Sequence, residues 1–222
     1  MARPATDIQE RIVHAARALF LQQGVDGASL RQIANDAETN IGMIYYYFKT
    51  KDDLFLGVVE EVYGQLSSDI SAIVEQGRPI EERLQLLFAR FAKQSPAETQ
   101  VLQLILREAL VSSERLQRVA ARFQAGHIPI VAGMVMQGMA EGRLRSDLNP
   151  IALLVSTFLL GAFPQLAHRR VTASSLPIAS ILPTPEDTAR MMLDILFHGI
   201  AGRAHDPSLL DAIAPTVTPS QT

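Results

Sequence analysis

SLRQIANDAETNIGMIYYYFKTKDDL, residues Ser29 to Leu54, contains three helix starts in close succession. Ser29 followed by Gln32 fits the capping-box pattern, in which a hydroxyl and an amide satisfy backbone donors left open at a helix start. The spacing of Leu30, Ile33, Ala34 and Ala37 predicts a helix from Leu30 to about Ala37 with one apolar face. Asn40 is a strong N-cap type and predicts the next helix, Ile41 to Tyr47. Thr50, with Asp53 at the capping-box position, predicts a further one. Upstream, Thr6 and Gln9 form another such pair. They precede Ile8, Ile12, Ala15, Ala16, Leu19 and Phe20 at helical spacing, and Gly24 supplies a left-handed stop.

Two helices joined by a few residues and crossing steeply make a helix-turn-helix, whose second helix enters a major groove of DNA. A wheel at about 100° per residue puts Ile44 and Phe48 on the inner side of that second helix, with Gly42, Met43, Tyr45 and Tyr46 opposite. Gly42 permits close backbone approach, and the tyrosines offer flat bodies with hydroxyl tips for phosphate oxygens. Lys51, at an exposed helix N-terminus, is placed to meet a phosphate.

Ile12, Ala15, Ala16, Leu19, Phe20, Gly24, Ser29, Ile33, Ala34, Ala37, Gly42, Ile44, Tyr45, Phe48, Lys51 and Leu54 form a long ordered pattern. On these residues the first ~55 positions resemble the DNA-binding domain of the TetR family of bacterial transcriptional regulators. The turn departs from that family, which usually has Gly and then a small aliphatic residue where this chain has Glu38 and Thr39. Glu38 costs something if its position is left-handed, and it brings negative charge near the expected phosphates. The recognition helix has no Arg, Gln or Asn after Asn40, so strong bidentate base pairings are scarce. The expectation is that Ile41, Met43 and Tyr46 read thymine methyls, that Asn40 and Arg31 supply hydrogen bonds, and that Tyr45, Tyr47 and Lys51 hold phosphates. Ser29 and Gly42 complete the candidate DNA-binding set.

The chain has 222 residues, 48% of them apolar, and a formal charge of −3. Within the first fifty, Arg3, Arg11, Arg17, Arg31 and Lys49 balance Asp7, Glu10, Asp26, Asp36 and Glu38, so non-specific DNA affinity should be modest. The absence of cysteine excludes disulfides and thiolate chemistry. No apolar leader precedes the first amphipathic helix, which makes a cytoplasmic address the simplest expectation. The longest apolar run, Ile151 to Phe163, is too short for the ~30 Å bilayer core, so no membrane association is expected. His14, His127, His168, His198 and His205 form no metal-ligand spacing. There is no GxSxG elbow or phosphate loop, so neither an enzyme, a metal nor a cofactor is expected.

Beyond Leu54 the pattern stays helical. The fourth helix runs towards Gly77, Pro79 and Ser95-Pro96 open two more, and Glu114 to Arg143 reads as one long helix or a pair broken near Pro129. Asn149-Pro150 and Thr184-Pro185 introduce helices near Ile151 to Ala167 and Glu186 to Arg203. The first of these is apolar nearly all round, which demands burial on both sides. Two such helices from each of two chains would make a four-helix bundle, with Leu153, Leu160, Met192 and Leu196 as candidate dimer contacts. The family resemblance implies the same homodimer, a palindromic double-stranded operator and a small-molecule effector. Candidate effector contacts are Phe88, Phe91, His127, Met134 and Phe158, although aromatic and Met residues at helical spacing are usually core filling.

The expected fold is therefore all-α with about nine helices. Residues 1–54 form a three-helix DNA-binding domain, 55–203 a helical ligand-binding and dimerisation domain, and 204–222 a mostly irregular tail in which Leu209, Leu210 and Ile213 offer one stray turn. The expected function is a sequence-specific DNA-binding transcriptional regulator, a repressor released from a palindromic operator by a small-molecule ligand. The alternative is a helical ligand- or partner-binding module with weak or lost DNA binding.

Overall fold

The computed structural model describes residues 5–174 and 176–198, with side chains from Asp7 onward. Ten α-helices follow in order: α1 Ala5–Gly27, α2 Leu30–Asp36, α3 Ile41–Tyr47, α4 Lys51–Val74, α5 Ile80–Ala92, α6 Pro96–Val111, α7 Ser113–Gln124, α8 His127–Ala140, α9 Pro150–Thr172 and α10 Pro185–His198. A 3-10 segment, Pro177–Ile181, leads into α10. All regular structure among the described residues is helical, as expected. Ten helices stand where about nine were expected, because the segment from Glu114 to Arg143 holds two. Their break falls at Ala125 and Gly126, while Pro129 sits in the first turn of α8, where a missing N–H leaves no hydrogen bond unmade.

Local capping explains most helix starts. Asn40 Oδ1 accepts from Met43 N–H at 3.1 Å to open α3. Thr50 and Asp53 exchange hydrogen bonds at 3.0 Å to open α4, and Ser95 and Glu98 do the same for α6. Ser29 is the N-cap of α2 by position, but its side chain makes no capping bond, so the expected box with Gln32 is not formed. Inside the span of α1, Gly24 takes φ 78°, and a Cβ there would lie 2.8 Å from Arg107 Nη2. The backbone conformation requires glycine at this stop, whereas the Arg107 guanidinium, at the end of a flexible side chain, could move aside.

One apolar core joins α1 through α4, with Ile12, Phe20, Ile33, Ile44 and Leu54 fully buried, and it extends to Val101 and Leu104 of α6 and Val119 of α7. A second lies among α4, α5, α8 and α9, around Ile70, Leu84, Leu87 and Met134. A third, smaller cluster sets Phe88, Ala92 and Ala189 against Leu160, Met192 and Leu196. Each buried Leu, Ile or Phe contributes about 1.5–3 kcal/mol of hydrophobic stabilisation, so α4, which feeds the first two cores, is held at both ends.

Helix α9 continues past Phe163 through Pro164 to Thr172. The run expected to be too short for a bilayer thus belongs to a 23-residue helix that is long and apolar enough to cross one by length and composition. Counting only the apolar run missed the polar half from Gln165 to Arg170, which the helix includes. Thr157, Gly161, Ala162, Gln165 and Leu166 of α9 are buried against the chain. The Thr6 side chain, residues 199–203 of the expected last helix, His205 and the expected turn at Leu209, Leu210 and Ile213 lie outside the described residues.

Candidate functional site

The turn between α2 and α3 is set by three backbone bonds, Ala37 N–H to Ile33, Glu38 N–H to Asn35 and Thr39 N–H to Ala34, at 2.9–3.0 Å. Glu38 takes φ 50°, the single non-glycine residue with positive φ among those described. A side chain in this region costs about 1–2 kcal/mol relative to right-handed backbone. Glu38→Gly is therefore expected to raise the unfolding midpoint by roughly 2–4 °C in a thermal melt, since each kcal/mol moves a chain of this size by about that much. The exposed ion pair it forfeits, Arg11 to Glu38 at 3.5 Å, is of the kind worth at most about 1 kcal/mol and usually less.

On α3, Ile44 and the following Phe48 face the core, as the wheel predicts. Tyr45 is 52% exposed and Tyr46 77% exposed, and Ile41 and Gly42 lie open beside them. Met43 and Tyr47 are different: both are half-buried and pack against the first core. Tyr46 stands edge-on against Tyr47, with ring centroids 5.0 Å apart, so Tyr47 braces its exposed neighbour. The wheel misplaced Met43 because a seven-residue helix seated at one end turns part of its nominal outer side inward. Ser29, Arg31 and Asn40 are exposed. Asn40 commits its oxygen to the cap, which leaves its amide N–H groups for a base or phosphate.

Lys51 is half-exposed at the start of α4, its Nζ donating to the Asp26 carbonyl at 2.9 Å. Beside it lies a charge cluster that sequence reading did not find. Arg115, at the start of α7 and only 7% exposed, binds Asp26 at the end of α1, Asp52 of α4 at 2.9 Å and Glu108 of α6 at 2.8 Å. Glu108, 2% exposed, also accepts the Val25 N–H at 3.2 Å. The Arg115 hydrogen bond holds the Asp26 carboxyl below its ordinary pKa, and Asp26 together with Asp52 holds the guanidinium above its own. Arg118, one turn on, reaches Asp53 at 3.4 Å. The first turn of α4, which presents Lys51, is thus tied to α7.

The far end of α7 borders an apolar cavity. One lobe, about 200 Å³, lies among α4, α5, α7, α8 and α9 and is lined by Phe91, His127 and Phe158 together with Leu87, Phe123 and Leu154. A second lobe, about 110 Å³, shares Ile70, Phe91, Phe123, His127 and Phe158 with it and extends to Tyr63, Gln94 and Glu98. Of the five candidate effector contacts, the structure brings Phe91, His127 and Phe158 together here. Phe88 instead faces α10 in the third core, and Met134 is packed in the second. Helical spacing marks both as inward but does not say which of several interior sides they meet. Tyr63, Phe123 and Gln94 were missed, since nothing local in sequence links them to the cavity.

The dimer candidates also divide. Leu160, Met192 and Leu196 pack against α5 within the chain, and Leu153 is half-buried and lines a separate hollow with Leu196 and Phe197. The open apolar stripe of α9 is Ile151, Val155, Leu159 and Phe163, four residues apart along one face. An all-round apolar helix carries no phase from which to choose that face in advance.

A short helix with exposed tyrosines, seated on a three-helix core beside a capped helix N-terminus, is the arrangement of a helix-turn-helix domain. Residues 12–58 match the family described as bacterial regulatory proteins, tetR family. The N-terminal domain of this chain is therefore similar to that of the TetR family. Over 118 residues it is 29% identical to the "Probable HTH-type transcriptional regulator YttP" of Bacillus subtilis, covering 52% of this chain and 56% of that one. Over 66 residues it is 36% identical to the HTH-type transcriptional repressor NicS of Pseudomonas putida, covering 30% and 31%. The matched stretches thus span about half and a third of these relatives. A crystal structure of the transcriptional regulator FadR from Bacillus subtilis in complex with stearoyl-CoA shares the fold, with a TM-score of 0.67 at 20% identity over 86% of this chain and 99% of that one.

Proposed function

We propose that this chain is a homodimeric transcriptional regulator that binds a near-palindromic DNA operator and leaves it when a small molecule enters the cavity. The observation that carries the reading is α3, which keeps Ile41, Tyr45 and Tyr46 exposed on a well-anchored helix beside Lys51. Leaving such apolar area in water is unfavourable unless a partner covers it, and a major groove accepts a helix of this size. Two copies packed through the α9 stripe would present two such helices to successive grooves, with half-sites spaced by whole turns.

Release would follow from α4. A ligand that favours a tilted α4 changes the spacing of the two recognition helices and so lowers operator affinity. The cavity touches α4 at Ile70 and α7 at Phe123, and α7 grips the start of α4 through Arg115 and Arg118. The FadR neighbour holds stearoyl-CoA. The effector proposed here is, like the acyl chain of that ligand, apolar over most of its length.

The test is fluorescence anisotropy of the purified protein against overlapping duplexes from the DNA flanking its own coding sequence, at two salt concentrations with non-specific competitor. Saturable binding of two chains to one near-palindromic duplex is expected. No preference above competitor would favour the alternative of a helical binding module, for which the strained, acidic Glu38 in the turn is the one supporting observation.

A further inference from the structure

The cavity is unusual in its charge balance. Neither lobe is lined by Lys or Arg, and its single carboxylate, Glu98, is already taken. Burial alone would raise the Glu98 pKa, but hydrogen bonds from Arg90 and from the Ser95 N–H at 2.6 Å hold it below the ordinary range. A ligand carboxylate or ammonium entering here would shed its water with no free opposite charge to replace it.

Two neutral polar groups remain. The Tyr63 hydroxyl accepts the His127 backbone N–H at 3.3 Å and lies 2.6 Å from His127 Nδ1. The hydroxyl hydrogen has no other acceptor among the described residues, so it is donated to Nδ1, which places the imidazole proton on Nε2. Nε2 has no partner among the described residues, and burial lowers the His127 pKa, which keeps the ring uncharged. At the end of the second lobe, Gln94 is 4% exposed and its Oε1 has no hydrogen-bond partner among the described residues. A buried amide left unsatisfied is costly, and a ligand group is one way to satisfy it.

We infer that the effector is a neutral molecule, apolar along its body, whose single hydroxyl-type oxygen accepts from His127 Nε2 and donates to Gln94 Oε1. This rests on the cavity being the effector site. Acidic and basic ligands of the same length are excluded by the missing counter-charge, not by shape.

The test uses the full chain and N-phenyl-1-naphthylamine, whose fluorescence rises in apolar surroundings, with 1-decanol, decanoate, decylamine and decanoyl-CoA as competitors near pH 7.5. Decanol is expected to displace the dye at a concentration at least tenfold below the others. Gln94→Leu should weaken decanol about five- to tenfold, as loss of one hydrogen bond does, while leaving the dye unchanged. It should also raise the melting point of the ligand-free protein, because an unsatisfied buried amide is removed. His127→Phe should weaken decanol similarly and spare the dye. Leu154→Trp, which fills the first lobe, should abolish dye binding. Charged competitors equal to decanol, or decanol affinity indifferent to both polar substitutions, would overturn the inference while the cavity reading stood. Absence of dye binding, or dye binding untouched by Leu154→Trp, would remove the cavity reading and this inference with it.

Discussion

A chain carrying Arg115→Leu is expected to melt roughly 10 °C below the parent. The substitution leaves Glu108, 2% exposed, without the guanidinium that balances it. Breaking a buried pair by removing one partner costs about 3–5 kcal/mol, and a chain of this size loses about 2–4 °C per kcal/mol. Asp26 and Asp52 contribute less to the loss, because their side chains are 70% and 27% exposed and regain water. Adding Glu108→Gln should recover most of the midpoint, since glutamine still accepts the Val25 N–H at that position but carries no charge. If the double variant melts no higher than Arg115→Leu, the cost lies in lost packing, and the charge argument fails.

Removing both exposed tyrosines, Tyr45→Ala with Tyr46→Ala, is expected to lower operator affinity by a factor of about 100 or more. Each lost groove contact is worth about 1–3 kcal/mol, and about 1.4 kcal/mol is tenfold in affinity. The fold should be indifferent, because exposed positions outside caps and cores move stability by about 0.5 kcal/mol or less. Salt separates this variant from Lys51→Ala. The tyrosines are uncharged, so the dependence of binding on salt should keep its slope. Lys51→Ala should reduce that slope by about one counterion per protomer, hence about two per dimer, if Lys51 leaves Asp26 for a phosphate. Affinity unchanged in the double tyrosine variant would dismiss α3 as the reading element.

The fold was legible where its causes are local. Asn40 and Thr50 announce helices through hydrogen bonds spanning three residues, and α3 spans the residues its cap predicts. Glu38 was readable as a conflict between residue type and turn, and its φ of 50° shows that conflict in place. Contacts across long separations were not legible. Nothing near Arg115 in sequence announces Asp26, 89 residues away. Likewise Phe88 and Met134 share their periodicity with Phe91 and Phe158, and only the packing of α10 and α8 decides which of them meet the cavity. The break before α8 falls three residues ahead of Pro129, because Gly126 caps the new helix and proline, which suggests a breaker in sequence, rides in its first turn.

The first core draws on Val101, Leu104 and Val119 from well beyond the helix-turn-helix. For anyone assembling hybrid biosensors, this makes the head a poor interchangeable part. A chimera spliced at Leu54 onto a foreign sensor would uncover the seam where those three side chains now sit, and would inherit a weakened head. Transplanting matching α6 and α7 surfaces along with it is the repair that the packing dictates.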